Sequence, residues 1–435
     1  MKAFHFGTAA ADITPPVGIH MGGYWGRNSG ATRIHDRLMA KALVCALGET
    51  KIAIVSVELV ALDADSVQEI RARIERDTGL ASAAVMICAS HTHAGPLTIG
   101  YRGMGELDLD YLRQVQDAVV GVVAAATADC QEGRLRYVRP QVQIGLNRRE
   151  QRRRGIQSGQ NTTGSVVPYA HVLCCEAVDG RSATLFSHAC HPVVLGSDNH
   201  QISGDFAGVA ARHIERETGG ISLFVNGACG DINPRITGGS FGDVDTLGRE
   251  LSRVVLESMN GAESLVLTEL DYAQKRVDLP LIDPPDRLRA EAEKLKLHFK
   301  AELLPGGDEW AKRVPRARLE WAEEMLELVR GGLGSARFQP CEIQALVLGP
   351  LVILGIEGEI FARYQLDLEA EWGPAVLCGF ANGCIGYVPT ADEYPLGGYE
   401  IDEAYKVYPS VQMIAPESDA LIRREVGELI ARLRA

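Results

Sequence analysis

Short apolar runs of strand length alternate with helix-period segments through the first two-thirds of this chain, and that alternation points to α/β construction. Residues 52–57 (Ile-Ala-Ile-Val-Ser-Val) read as a buried strand and residues 63–76 as a helix with Asp63 near its start. Residues 85–90 give the next apolar strand, followed by a helix over 111–128. A strand-and-turn series covers 136–191, and a strand at 223–226 runs into the turn 227–231. Apolar strands return at 343–348 and 351–354, a Gly- and Tyr-rich loop spans 382–408, and a helix over 417–433 closes the chain.

Between 286 and 331 the composition shifts to Glu, Lys, Arg, Ala and Leu at helical spacing, broken by Leu304-Pro305-Gly306-Gly307-Asp308. Proline and glycine punctuate helices, so this reads as a two-helix hairpin, either a peripheral buttress or a cover over the site. The expected architecture is one α/β domain over 1–435, with mixed β-sheets flanked by helices and a helical hairpin inserted at 284–333.

Charge and cysteine usage exclude several function classes. A chain of 435 residues with 46% hydrophobic content can bury a large core. Its net charge of −13 offers no surface for neutralising phosphates, which argues against a nucleic-acid partner. The one basic run, residues 148–154, could grip an anion, with Arg152 to Arg154 read as solvated. No uninterrupted apolar stretch approaches the roughly 20 residues of a membrane-spanning helix. The opening residues lack the apolar core of a secretory signal, so a cytoplasmic location is expected. Ten cysteines without C-x-x-C spacing read as reduced thiols. Nothing in the sequence specifies an oligomeric state.

Chemistry concentrates at strand ends, where open α/β sheets place ligands. His91-Thr92-His93 follows the strand at 85–90 directly; in an extended tripeptide both imidazoles would face one side. His188 and His191 follow the apolar run 183–186, with His200 shortly after. Five of the chain's 11 histidines thus fall in two short segments, and neutral imidazole is the commonest metal ligand. Catalytic zinc takes about three protein ligands, so a carboxylate is sought as well. Glu357 and Glu359 in Gly355-Ile356-Glu357-Gly358-Glu359 are both candidates by position, and either could instead be an ordinary helix N-terminal acid.

At this point the sequence resembles a family. The landmarks are Ala11-Asp12-Ile13-Thr14-Pro15, Gly22-Gly23-Tyr24, His35-Asp36-Arg37-Leu38, Ser90-His91-Thr92-His93-Ala94-Gly95-Pro96, Asn147-Arg148, His191 with Asn199-His200 and Ile202-Ser203, Gly227 with Gly230-Asp231, Gly358-Glu359, and Gly386-Tyr387-Val388-Pro389-Thr390. With Glu393-Tyr394 and Tyr399-Glu400 they run in this order from residue 11 to residue 400 and look like the motifs of the neutral (non-lysosomal) ceramidase catalytic domain. The resemblance implies zinc held by His91, His191, Glu359 and Tyr387, and so selects Glu359 over Glu357. It implies further that His93 stands beside the metal-bound water, and that Arg148 and Tyr399 face substrate. Asp12 or Asp231 is expected to orient the imidazoles.

Zinc would lower the pKa of bound water to about 7 and polarise a carbonyl, the two effects amide hydrolysis needs. The expected activity is therefore zinc-dependent hydrolysis of a linear amide by attack of zinc-bound hydroxide, with His93 as acid or base. A zinc-dependent esterase or lactonase on the same site and a non-catalytic metal-binding homologue are the alternatives. Two departures bear on substrate. Asn233 stands where the family motif has serine, which removes a nucleophile but leaves an amide able to donate to a developing oxyanion. The chain also stops about where the family's catalytic domain ends. With no leader or anchor read, a soluble amide is expected over long-chain ceramide, with Arg148, Arg149 or Arg235 pairing with a substrate oxyanion.

Overall fold

The structure, a computed structural model, describes residues 2–434 apart from 26, 28, 283–284, 304–311, 333–336 and 410–411. It is the expected mixed α/β arrangement. A nine-stranded sheet runs in the order Ile221–Asn226, Ser182–His188, Ala170–Ala177, Gln131–Val138, Phe4–Asp12, Met39–Leu47, Thr50–Val57, Val85–Ala89, with Glu263–Ser264 pairing beside Gln131–Val138. A second sheet runs Leu270–Pro280, Phe338–Leu348, Leu351–Ile356, Ala375–Cys378.

Within these two sheets most neighbours are antiparallel, but three described pairs are parallel: Thr50–Val57 with Val85–Ala89, Ser182–His188 with Ile221–Asn226, and Leu351–Ile356 with Ala375–Cys378. Parallel neighbours need a crossover, and a helix supplies each: Ala64–Thr78, Asp205–Thr218 and Ala362–Trp372. Ala64–Thr78 shows why the sequence folds so. Asp63 caps it by accepting from the Ser66 N–H, Val67, Ile70 and Ile74 bury one stripe, and Gly79 ends it at φ 72°. The six strands of these pairs are almost wholly buried, which accounts for their continuous apolar runs.

The two sheets meet at Asn382, whose Oδ1 accepts from Ile87 N at 2.9 Å and whose Nδ2 donates to Gln344 Oε1 at 2.7 Å. Helices Pro285–Glu302 and Arg313–Arg330 lie between strands Leu270–Pro280 and Phe338–Leu348. Those strands pair along their whole length, ending at Pro280 opposite Phe338, so the helical insert stands on a closed base. It has its own apolar cluster, Leu288, Ala292, Trp321, Ala322, Met325 and Val329, with Tyr405 of the main body packed against it. The break expected at 304–308 lies outside the described residues.

The basic run divides in two, with Arg152 to Arg154 exposed as expected and its first two arginines turned inward. Gly145–Arg152 and Gly155–Asn161 form a β-hairpin that buries Arg148 and Arg149, while Arg152 is exposed and pairs with Glu150.

Candidate metal-binding active site

Each parallel pair sends chain past the end of the sheet into one buried cluster. In the first, His91 follows the second strand, and its N–H donates to Leu59 O at 2.8 Å while its Nδ1 lies 2.7 Å from Val60 O, both just past the first strand. His91 takes φ 68°, rare for a non-glycine residue, and its ring stacks on Phe380 at 3.9 Å. In the second pair the roles are exchanged. His191 follows the first strand, and its Nδ1 lies 2.6 Å from Cys229 O and 3.1 Å from Ile232 O, beyond the second. The third pair delivers Glu359 after its first strand and Tyr387 after its second, paired as Cα partners in a short parallel bridge.

A carbonyl oxygen only accepts, so Nδ1 of His91 and His191 carries the proton and each Nε2 turns a lone pair inward. Burial pushes both imidazoles down to about 3, so they are neutral at ordinary pH. Nε2 of His93 lies 3.0 Å from Nε2 of His91, and His191 Nε2 lies 2.9 Å from Glu359 Oε2. Glu359 is fully buried; burial raises its carboxyl, and its Oε1 has no hydrogen-bond partner. Tyr387 stands beside both Glu359 and Arg148, and its hydroxyl works against the rise of the Glu359 carboxyl. Ligand atoms of His91, His93 and His191 all lie within 4.8 Å of one another, a candidate metal site of neutral imidazoles with a carboxylate oxygen left unpartnered beside it.

The expected substrate-facing residues flank this cluster. Arg148 lies over the Tyr387 ring at 5.2 Å. Its Nε donates to Glu400 Oε1 at 2.8 Å, its NH1 to Asn233 Oδ1 at 3.3 Å, and its buried NH2 has no partner. Tyr399 meets Tyr387 edge-on at 6.0 Å and is 43% exposed, on the outer side. Burial opposes ionisation of Glu400, yet Arg148 and Arg149 overcome it and hold the carboxyl below its usual range.

Several expectations need correction. Arg149 is engaged internally: it bonds Glu393, Glu400 and Gly397 O, tying the hairpin to the 393–400 segment. Arg235 pairs with Glu250. Asp12 bonds Thr14 and Arg37, and Asp231 bonds Asn147 and Ala362 N, so neither orients an imidazole; backbone carbonyls do that. His91 and His93 converge through a left-handed residue, not through extended alternation. Glu357 accepts from Glu342 N and lines a cavity of about 250 Å³ with Cys384 and Tyr408, none of the three histidines among its walls. His188 bonds Tyr169 O and His200 lies against Ser29.

Arg27 went unread in the sequence, where a lone arginine in a glycine-rich stretch carries no signal. It is 2% exposed; its Nε donates to Asn199 O at 2.9 Å, its NH1 to Gly22 O at 2.5 Å and its NH2 to His93 O. Burial pushes its guanidinium down to about 10. Gly23 lies flat on the His93 ring: a Cβ there would fall 2.4 Å from His93 Cγ.

Fold and cluster together define an α/β protein with a metal-suited site at its strand ends. A family model described as neutral/alkaline non-lysosomal ceramidase, N-terminal, matches residues 4–248, and the chain belongs to that family. The membership places it among hydrolases that act on amide bonds. The neutral ceramidase of Pseudomonas aeruginosa is 25% identical over 464 residues, spanning 91% of this chain and 68% of that protein. The crystal structure of neutral ceramidase from Pseudomonas aeruginosa matches with a TM-score of 0.75 at 21% identity, over 100% of this chain and 75% of that one. A structure described as ceramidase complexed with C2 matches at 0.74 and 20% identity, over 100% of this chain and 76% of that one. No helix among the described residues is long and apolar enough to cross a membrane.

Proposed function

We propose that this chain is a zinc-dependent hydrolase of a linear amide, ceramide-like or a smaller N-acyl amine. His91, His191, Glu359 and Tyr387 would hold the metal. The observation that carries this reading is the buried meeting of the inward Nε2 lone pairs of His91 and His191 with a carboxylate that has an unpartnered oxygen. A zinc ion bound there supplies Lewis-acid polarisation of the scissile carbonyl and acidifies a water molecule.

The chain's own residues do the rest. His93, whose Nε2 faces the cluster and whose Nδ1 has no partner, takes a proton from water at Nε2 and returns it to the leaving amine. Arg148 offers its unpartnered NH2 to the substrate's polar atoms. Asn233 must turn Oδ1 to Arg148, because guanidinium only donates, so its Nδ2 remains available as a donor to an oxyanion. Tyr399 forms the outer wall beside Tyr387. Domain 1–435 is read as one catalytic unit with the insert 284–333 belonging to it, and ten free thiols suit a cytoplasmic setting.

The test couples metal analysis to a hydrolysis screen over N-octanoylsphingosine, N-octanoylglycine, and an octanoyl ester and lactone. Zinc-dependent turnover of an amide supports the reading. Turnover confined to the ester or lactone moves the activity to that leaving group, and no turnover with metal bound favours a non-catalytic homologue.

A further inference from the structure

We propose that the helical insert positions His93 from outside the site, Arg313 holding Arg27 and Arg27 holding the His93 backbone. The NH1 of Arg313, at the start of helix Arg313–Arg330, donates to the Arg27 carbonyl, and the Arg27 guanidinium donates to the His93 carbonyl. The other arms of Arg27 reach Gly22 O and Asn199 O, so one side chain ties the His93 loop to the loops of Gly22 and Asn199. Taking a guanidinium out of water for three carbonyls and no carboxylate is a poor way to gain stability. Its geometric effect is specific. With Gly23 against the ring and Tyr24 edge-on at 5.0 Å, His93 is boxed by a loop whose outward anchor is the insert.

The insert itself is pinned on the main body. Arg102 pairs with Glu324 at 2.6 Å and Arg318 with Glu403 at 2.9 Å. Gly103 packs so close to the helix that a Cβ there would lie 2.7 Å from Ala317 Cβ. A helix fixed at these points delivers Arg313 to one place, and errors of a fraction of an ångström at an acid–base group are costly.

This rests on the reading of His93 as the acid–base group, and the experiment separates the two. Arg313→Met, Arg313→Lys and His93→Ala are compared with the parent full chain. The measurements are zinc content, thermal midpoint, His93 imidazole signals in metal-free protein by long-range proton–nitrogen correlation, and kcat and KM on whichever octanoyl amide is turned over. In Arg313→Met, zinc content and KM hold, the His93 signals shift or broaden while those of His171 stay, and kcat falls about tenfold. Arg313→Lys, which keeps a donor, stays within about twofold of the parent. Unchanged His93 signals and kcat in Arg313→Met, with only the thermal midpoint lowered, reduce the insert to a buttress and overturn the proposal; so does an equal loss in the lysine variant. Full activity of His93→Ala overturns the underlying role of His93 instead.

Discussion

His191 Nε2 and Glu359 Oε2 lie 2.9 Å apart, and with His191 Nδ1 committed as donor to two carbonyls, both facing atoms are acceptors. Two buried acceptors at that distance need positive charge between them, a proton on Glu359 or a cation. Protons and metal therefore compete for the same gap.

One zinc per chain is expected in protein purified without chelator, lost with activity on chelation. Because the ligands must be deprotonated to bind, affinity falls as the pH is lowered. Elemental analysis across a pH series checks both, and protein free of transition metal at neutral pH would sink the assignment.

His93→Ala is expected to retain zinc while kcat drops on the order of 10²–10⁴-fold, the range for a positioned acid or base. Since His93 Nε2 stands 3.0 Å from His91 Nε2, the opposite outcome is informative: metal lost along with activity makes His93 a ligand.

Asn233→Ala should lower kcat/KM by roughly 10²–10³-fold if its amide serves the oxyanion. Asn233→Asp should do no better, since a carboxylate would turn toward Arg148 and leave no donor. Steady-state rates within twofold of the parent for the alanine variant would confine Asn233 to holding Arg148.

Glu400 is the shared counter-ion of Arg148 and Arg149. Replacing it with Gln leaves two buried guanidiniums short of charge, which costs about 3–5 kcal/mol at neutral pH. Its folded carboxyl lies below the unfolded one, so the parent's advantage is present above the ordinary carboxylate range and is lost as pH falls through the depressed value. Thermal midpoints of Glu400→Gln and parent should therefore converge in acid; a constant gap from pH 7 to pH 3 would remove the charge argument.

Among substrates, a short polar amide should have the higher kcat/KM over long-chain ceramide. The rim beside Tyr387 is made of Arg148, Asn233 and Tyr399, whose tips are polar, and carries one unpartnered guanidinium arm. Matched kinetics on N-octanoylglycine and a ceramide in detergent micelles decide; a clear preference for ceramide reverses the claim.

Strand ends were readable because a strand buried on both faces leaves a continuous apolar run, and a polar residue just past it stands out. That is why His91, His191 and the pair Glu357 and Glu359 stood out by position, while the choice of Glu359 and the addition of Tyr387 came from the family motifs. What orients them was not readable. Asp12 and Asp231 drew attention as side chains, yet Val60, Cys229 and Ile232 act through carbonyls, which every residue carries. Arg149 and Arg148 are neighbours of one type, and only the β-hairpin's alternation and the bulge between Asn147 and Arg149 decide which one is spent internally. Arg27 has partners about 66 and 172 positions away, beyond any local pattern.

Pro280 and Phe338 pair across the base of the insert, so chain added or removed beyond them falls outside the register of the sheet beneath. A lineage carrying this fold thus has a replaceable part in contact with Arg27, and natural variation there can adjust the setting of His93 while every residue of the cluster stays the same.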